Sequence, residues 1–237
     1  KLRLKALIIP GHDPHKSEYV AEHWQVIKYL TGFSGSAGTA VLTMDKAILW
    51  TDFRYYIQAE KQLAGSGFEL FRMGEKTVPT IREWLKENLK SGESLGINGK
   101  LFSTTTVRDL QKELSPKGIL LNTETDPIGD LWKDRPPRPK SQAFFLQDKF
   151  AGQTRADKLS IIRKKMQAEG AVHHIVATLD DIAWILNLRG RDIHTNPVNI
   201  AYLLISTQQA ILFMDREKAD TELENTLKAD GIMFKPY

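Results

Sequence analysis

Cysteine is absent from all 237 residues. That excludes a disulfide framework, a thiol nucleophile, and zinc or iron–sulfur centres held by thiolates. Long hydrophobic runs are missing too: the apolar stretches at residues 201–205 and 210–214 fall far short of the roughly 20 residues that span a bilayer. An excess of one charge is small, with 33 Lys+Arg against 29 Asp+Glu and a net charge of +4. The densest basic stretch, Lys133, Arg135, Arg138 and Lys140 around Asp134, lacks the interleaved aromatics of a single-strand binder. Neither nucleic acid nor membrane is expected as a partner. No signal-peptide pattern opens the sequence, so the expectation is a soluble, cytoplasmic protein.

What is present is ordinary globular composition, 41% hydrophobic and 26% charged, enough apolar material for packed cores. At roughly 100–150 residues per domain, two small domains fit better than one. Residues 134–140 contain Pro136, Pro137 and Pro139, which fix φ and remove amide donors, so neither a helix nor a sheet ladder continues there. The expected organisation is a first domain over residues 1–133, a Pro-rich linker over 134–140 and a second domain over 141–237.

Hydrophobic periodicity places strands in the first half at residues 5–9, 39–43, 47–51, 68–73, 95–97 and 119–121, with 39–43 and 47–51 forming a hairpin that turns at 44–46. Helices are expected over 22–30 and 53–63. A third is capped by Thr77, with Pro79 in its first turn and Ile81, Leu85 and Leu89 on one face. A fourth carries Val107, Leu110 and Leu114. In the second half a helix with Leu159, Ile162 and Met166 stops at Gly170. Strands at 172–177, 201–205, 209–214 and 232–235 follow, interrupted by an Asp-capped helix at 180–186 and a polar helix at 216–229. The fold class is α/β, with mixed sheets flanked by helices.

The halves repeat each other. Ala47-Ile48-Leu49-Trp50-Thr51-Asp52 and Ala210-Ile211-Leu212-Phe213-Met214-Asp215 share a pattern, and each follows an apolar strand and a turn. The order strand, helix, hairpin, helix, strand is common to both, so a duplicated α/β unit is expected. After its last shared strand the first half continues with two helices and two strands, whereas the second half stops at Tyr237. The chain also begins with Lys1 rather than Met. It therefore reads as a piece of a longer polypeptide whose second domain is incomplete at its C-terminus.

The candidate chemistry is sparse. Gly32-Phe33-Ser34-Gly35-Ser36-Ala37-Gly38 matches neither G-x-G-x-x-G nor a phosphate loop, and it feeds the β-branched run from Thr39 rather than a helix. A tight connection with close backbone approach is expected, with a site-lining role left open. His12, Asp13, His15 and Glu18 are the one local group with metal-capable side chains, but around Pro14 they read as a polar loop. His173 and His174 are adjacent on a strand, so their rings face opposite ways. Asp180 and Asp181 open a helix and read as cap and dipole partner rather than as a catalytic dyad. At the end of an apolar strand, Asp52-Phe53-Arg54-Tyr55-Tyr56 presents an arginine fork suited to a carboxylate or peptide carbonyl among aromatic neighbours. An internal pair between Arg54 and Asp52 is the competing reading, and residue types alone favour it.

At these residues the chain resembles a known family. The segments around Gly32–Gly38 and Trp50-Thr51-Asp52-Phe53-Arg54-Tyr55, and Leu131-Trp132-Lys133-Asp134-Arg135-Pro136, are similar to the first domain of the large, three-domain aminopeptidase P family. Leu179-Asp180-Asp181-Ile182-Ala183-Trp184-Ile185-Leu186-Asn187-Leu188-Arg189-Gly190 and Asn196-Pro197-Val198 are similar to its second. The resemblance implies two tandem creatinase N-terminal-like domains from an Xaa-Pro aminopeptidase, which removes the residue preceding proline. It further implies two divalent ions, commonly manganese, in a separate C-terminal catalytic domain, and a homo-oligomer at full length. In this fragment it implies no catalytic residue and no metal ligand, and a substrate-binding role for Arg54 alone. Phe53 stands where the family often has glycine. The alternative is a non-catalytic creatinase-fold relative that recognises peptide or protein.

Overall fold

The computed structural model describes residues 4–124, 126, 128, 129 and 131–237. The span 1–133 therefore includes positions 1–3, 125, 127 and 130, which lie outside the described residues. Backbone contacts divide the chain into two units, one of Lys1–Glu18 with Glu22–Pro136 and the other of Tyr19–Ala21 with Pro137–Tyr237.

In the first unit the order is β1 (Ala6–Pro10), α1 (Val26–Thr31), β2 (Thr39–Thr43), β3 (Ala47–Thr51), α2 (Tyr56–Gln62), β4 (Glu69–Arg72), α3 (Ile81–Asn88), β5 (Ser94–Ile97), α4 (Thr104–Leu114) and β6 (Leu120–Asn122). Short 3₁₀ turns at Glu22–Trp24 and Phe53–Tyr55 precede α1 and α2. They divide what periodicity reads as continuous helices. The strands form one mixed sheet in the order β4-β3-β2-β1-β5-β6. Alternation along each strand sends Ala6, Ile8, Val41, Ile48 and Trp50 to one face, beneath Trp84 and Leu85 of α3 and Leu114 of α4. Ile9, Ala40 and Leu49 go to the other face, with Val26 and Ile27 of α1 and Ala59 of α2. Both faces of this sheet are thus dry.

The cap of α3 is Thr80, not Thr77. Thr80 Oγ1 accepts from Glu83 N at 3.2 Å while Glu83 Oε2 accepts from Thr80 N at 2.8 Å, a reciprocal capping box. Only Thr80 has a glutamate three residues on, so Pro79 stays outside the helix and Leu89 lies just beyond its end.

The second unit contains β7 (Phe144–Phe145), α5 (Asp148–Ala151), α6 (Arg155–Ala168), β8 (His173–Val176), α7 (Leu179–Ile185), β9 (Leu188–Arg189), β10 (Ala201–Ser206), β11 (Ala210–Met214), α8 (Thr221–Ala229) and β12 (Ile232–Lys235). The main sheet runs β12-β11-β10-β8, and β7 pairs with β9 separately. The duplication is explicit. In both units the first strand pairs antiparallel with the second, the second antiparallel with the third, and the third parallel with the fourth. Leu159, Met166, Ile182, Ile185, Leu223 and Leu227 from α6, α7 and α8 cover one face of this sheet.

Two helix starts differ from expectation. The cap of α7 is Thr178, which makes no side-chain capping bond, and Asp180 and Asp181 occupy the first turn. The stretch 216–229 is broken after a 3₁₀ turn, because Asp220 Oδ1 accepts from Leu223 N at 2.8 Å and starts α8 afresh.

Candidate functional site

Strand β3 ends at Thr51, whose hydroxyl donates to the Ala37 carbonyl and ties the strand end to the glycine-rich connection. Asp52 then caps the 3₁₀ turn. Its Oδ1 accepts from the backbone N and the Nε of Arg54, both at 3.0 Å, and its Oδ2 accepts from Nη2 at 2.8 Å. The carboxylate therefore fixes both the start of the turn and the orientation of the guanidinium. Glu18 lies 3.8 Å from Nη1, beyond hydrogen-bond distance, and the Arg54 side chain is 49% exposed. The Tyr55 ring lies against it at 5.3 Å. The arginine side-chain hydrogen bonds hold the Asp52 carboxyl below the usual carboxylate range, and Asp52 in turn strengthens the proton affinity of Arg54. The result is a permanently cationic fork with two of its five N–H groups committed to Asp52 and the rest available to an acceptor. The internal ion pair of the sequence reading is present, and it leaves the arginine side chain half exposed.

Around this turn the glycine-rich segment is packed as structure. Gly32 adopts φ +76° and closes α1. Gly11 N donates to Gly38 O at 2.9 Å, and a Cβ at Gly11 would meet that oxygen at 2.7 Å. A Cβ at Gly35 would meet the buried Phe33 ring at 2.2 Å. Ser36 Oγ and Tyr55 Oη are 2.8 Å apart, and Ser34 shares hydrogen bonds with Gln58 and Gln62. This connection and α2 form a polar surface beside Arg54, with Phe53 and Ile57 exposed on it.

The polar loop after β1 is organised by Asp13, which is fully buried. Its Oδ1 accepts from His15 N at 2.9 Å and Ser17 N at 3.0 Å, while Oδ2 is buried with no hydrogen-bond partner among the described residues. His12 sits edge-on to Phe102, with ring centroids 6.2 Å apart. Burial lowers its pKa from the ordinary 6.5. Among the described residues no group of three or more His, Cys, Asp or Glu is arranged to hold a metal ion. The donor set of the described residues therefore does not fit a resident metal ion.

In the second unit the segment Leu179–Gly190 and its neighbours build a buried polar network. Lys158 of α6 donates to Trp184 O at 2.7 Å and Asn187 Oδ1 at 2.6 Å. Asn187 adopts a left-handed φ of +48° and donates through Nδ2 to Gln153 O at 2.9 Å and Asp148 Oδ1 at 3.1 Å. Burial lowers the pKa of Lys158. Asp192 and Lys218 form a buried ion pair, in which Asp192 Oδ2 also accepts from Ile200 N at 2.6 Å. Asp180 Oδ1 accepts from Asn196 Nδ2 at 3.2 Å. Sequence reasoning missed Lys158 and the Asp192–Lys218 pair, because their partners lie 26 or more residues away. A lysine within the apolar spacing of α6 was the available signal.

A duplicated α/β scaffold that repeats a four-stranded mixed sheet, with an arginine fork at the end of one strand, is the class this geometry defines. The chain belongs to the creatinase/prolidase N-terminal domain family, which it matches over residues 2–126 and again over 134–237. It is 41% identical to aminopeptidase P2 of Arabidopsis thaliana, over 99% of this chain and 33% of that protein. Its identity to Xaa-Pro aminopeptidase 1 of Dictyostelium discoideum is 37%, over 99% of this chain and 38% of that one. The crystal structure of an X-prolyl aminopeptidase from Caenorhabditis elegans, described as a cytosolic enzyme with a di-nuclear active site, superposes with a TM-score of 0.94 at 30% identity. The match covers 99% of this chain and 38% of that one. The chain thus spans about a third of the length of these relatives.

Proposed function

We propose that this chain is the non-catalytic N-terminal portion of an Xaa-Pro aminopeptidase, a metallopeptidase that removes the N-terminal residue preceding proline. The observation that carries the reading is similarity along essentially the whole chain to proteins named for that activity, in sequence and in backbone. The two divalent ions, manganese by resemblance, belong to polypeptide outside these residues. A metal-activated water supplies the nucleophile in such enzymes. The role left to this chain is to shape the substrate cleft and to offer Arg54 as a hydrogen-bond donor to the peptide. Asp52 holds the fork at a strand end, so little side-chain freedom is lost when an acceptor arrives. The cytosolic description of the nematode relative supports a cytoplasmic location.

The test is hydrolysis of an Xaa-Pro peptide by the full product of the gene that encodes Lys1–Tyr237. Arg54→Ala should lower kcat/KM by about 10- to 100-fold, the scale of one lost charge-assisted hydrogen bond. An unchanged kcat/KM removes Arg54 from the substrate. Purified chain ending at Tyr237 should cleave nothing, and efficient cleavage by it overturns the non-catalytic assignment.

A further inference from the structure

Strand direction gathers several chain turns at one edge of the first sheet. β1 and β2 run antiparallel, as do β2 and β3, while β5 runs parallel to β1 and β6 parallel to β5. The carboxyl ends of β1, β3, β5 and β6 therefore share an edge, and with them the Arg54 turn that follows β3. At this edge the chain parts to opposite faces of the sheet. After β1 it enters α1, whose Val26 and Ile27 pack on one face, and after β6 it delivers Ile128 and Trp132 to that same face. Between those strands lies β5, which feeds α4, and Leu114 of α4 packs on the other face. Parallel neighbours whose connections diverge in this way leave a crevice at their carboxyl ends, the place where open α/β sheets bind ligands.

Such a crevice is open here, a cavity of about 620 Å³ lined by residues that follow β5 and β6 and by the start of α4. Gly99 N donates to Thr123 O at 2.9 Å and pins the two strand ends together. A Cβ at Gly99 would meet that oxygen at 2.8 Å, so the close approach requires glycine. Phe102 and Val107, half-buried against the core, give the cavity an apolar wall. Lys100 and Arg108 also line it, and both are exposed. Neither has a carboxylate within ion-pair distance among the described residues. The carboxylates of the lining are engaged elsewhere: Glu124 accepts from Thr123 Oγ1 at 3.3 Å, and Asp126 lies 3.7 Å from Arg135 Nη1. The cavity thus pairs an apolar wall with two uncommitted cations, which suits a carboxylate carried on an apolar body.

We propose that this crevice is a second peptide-binding site, which captures the C-terminal carboxylate of substrates whose N-terminal end is held near Arg54. Lys100 and Arg108 supply the counter-charge, and Phe102 and Val107 the contact for the last side chain. The proposal rests on the Xaa-Pro aminopeptidase reading and adds a preferred substrate to it. From β3 to β5 there are three strand spacings, and to β6 four, a span of roughly 14–19 Å at about 4.8 Å each. An extended peptide advances about 3.3 Å per residue, so four to six residues bridge it, roughly six to eight with the Xaa-Pro pair. Along that edge Gly11 follows β1 and Gly38 precedes β2, their backbones joined at 2.9 Å, so no side chain from either position stands in the way.

The test compares Xaa-Pro octapeptides and tripeptides, each with a free or an amidated C-terminus, as substrates of the full gene product. The free octapeptide should have a KM about 10-fold below that of its amide, the scale of one charge-assisted hydrogen bond, with kcat unchanged. Tripeptides, too short to reach the crevice, should show no such preference. In the variant Lys100→Ala with Arg108→Ala the octapeptide acid and amide should become equivalent, and because both side chains are exposed the variant should fold like the parent. Equal KM for the two octapeptides in the parent overturns the proposal. So does a preference that survives the double variant, or one that tripeptides share, because the carboxylate is then read elsewhere. Failure of the peptidase reading looks different: no peptide is cleaved. Fluorescence anisotropy of the labelled octapeptides bound to the same protein then reads the crevice directly, and equal affinity for acid and amide overturns the proposal.

Discussion

Burying His12 against Phe102 has a consequence that titration can read. The folded state disfavours the imidazolium, so its pKa lies below the ordinary 6.5. Between the folded and unfolded values the unfolded chain binds more protons, so stability rises with pH through that window and is lost on acidification. Melting temperatures followed from about pH 8 to about pH 5, the range in which histidine titrates, should fall more steeply for the parent than for His12→Asn. Parallel curves would mean that His12 is not held neutral. At Arg54 the geometry explains why residue types alone favoured the internal pair: Asp52 is two positions away and takes the fork bidentately. What residue types cannot tell is that this pairing leaves the guanidinium half exposed, because exposure depends on how the turn leaves the sheet.

At the scale of elements, periodicity located strands well where both faces of a sheet are enforced. The ranges 39–43 and 47–51 coincide with β2 and β3, since a one-residue slip would turn Val41 and Ile48 to the wrong face. It failed where a local hydrogen bond or a remote partner decides. The Thr80–Glu83 capping box stands in the sequence as T-x-x-E, a stronger start signal than Thr77 with Pro79. Thr80→Ala should cost about 1 kcal/mol, measured as a lower urea midpoint, while Thr77→Ala should cost almost nothing. The two-residue strands β7 and β9 have no periodicity to read, for they exist only because Phe144 and Arg189 meet across the fold. The Asp192–Lys218 pair is of the same kind. Lys218→Met strands a buried carboxylate and should destabilise by about 3–5 kcal/mol, and adding Asp192→Asn should recover part of that loss. Equal stability of the single and double variants would show that the pair is not coupled.

Across the whole chain the two units are unequally provisioned. The first sheet is sealed on both faces by separate apolar clusters. The second buries one face and leaves Ile175 and its neighbours half in water, forgoing part of the roughly 1.5–3 kcal/mol that each fully buried large aliphatic side chain contributes. It also carries Lys158, Asp192 and Lys218 in its interior, charges whose desolvation offsets part of what their hydrogen bonds return. Unfolding of the chain Lys1–Tyr237 should therefore not be two-state, with the second unit opening first. The five tryptophans make this measurable. Trp24, Trp50, Trp84 and Trp132 are buried in the first unit, whereas Trp184 in the second is 51% exposed, so the emission shift reports mainly on the first. Followed in urea, tryptophan emission should have its midpoint at higher denaturant than far-UV circular dichroism, which averages both units, and the β8 and β10 amides should lose protection earliest. Coincident transitions by all three probes, the signature of a single cooperative unit, would show instead that the half-open sheet is as stable as the sealed one.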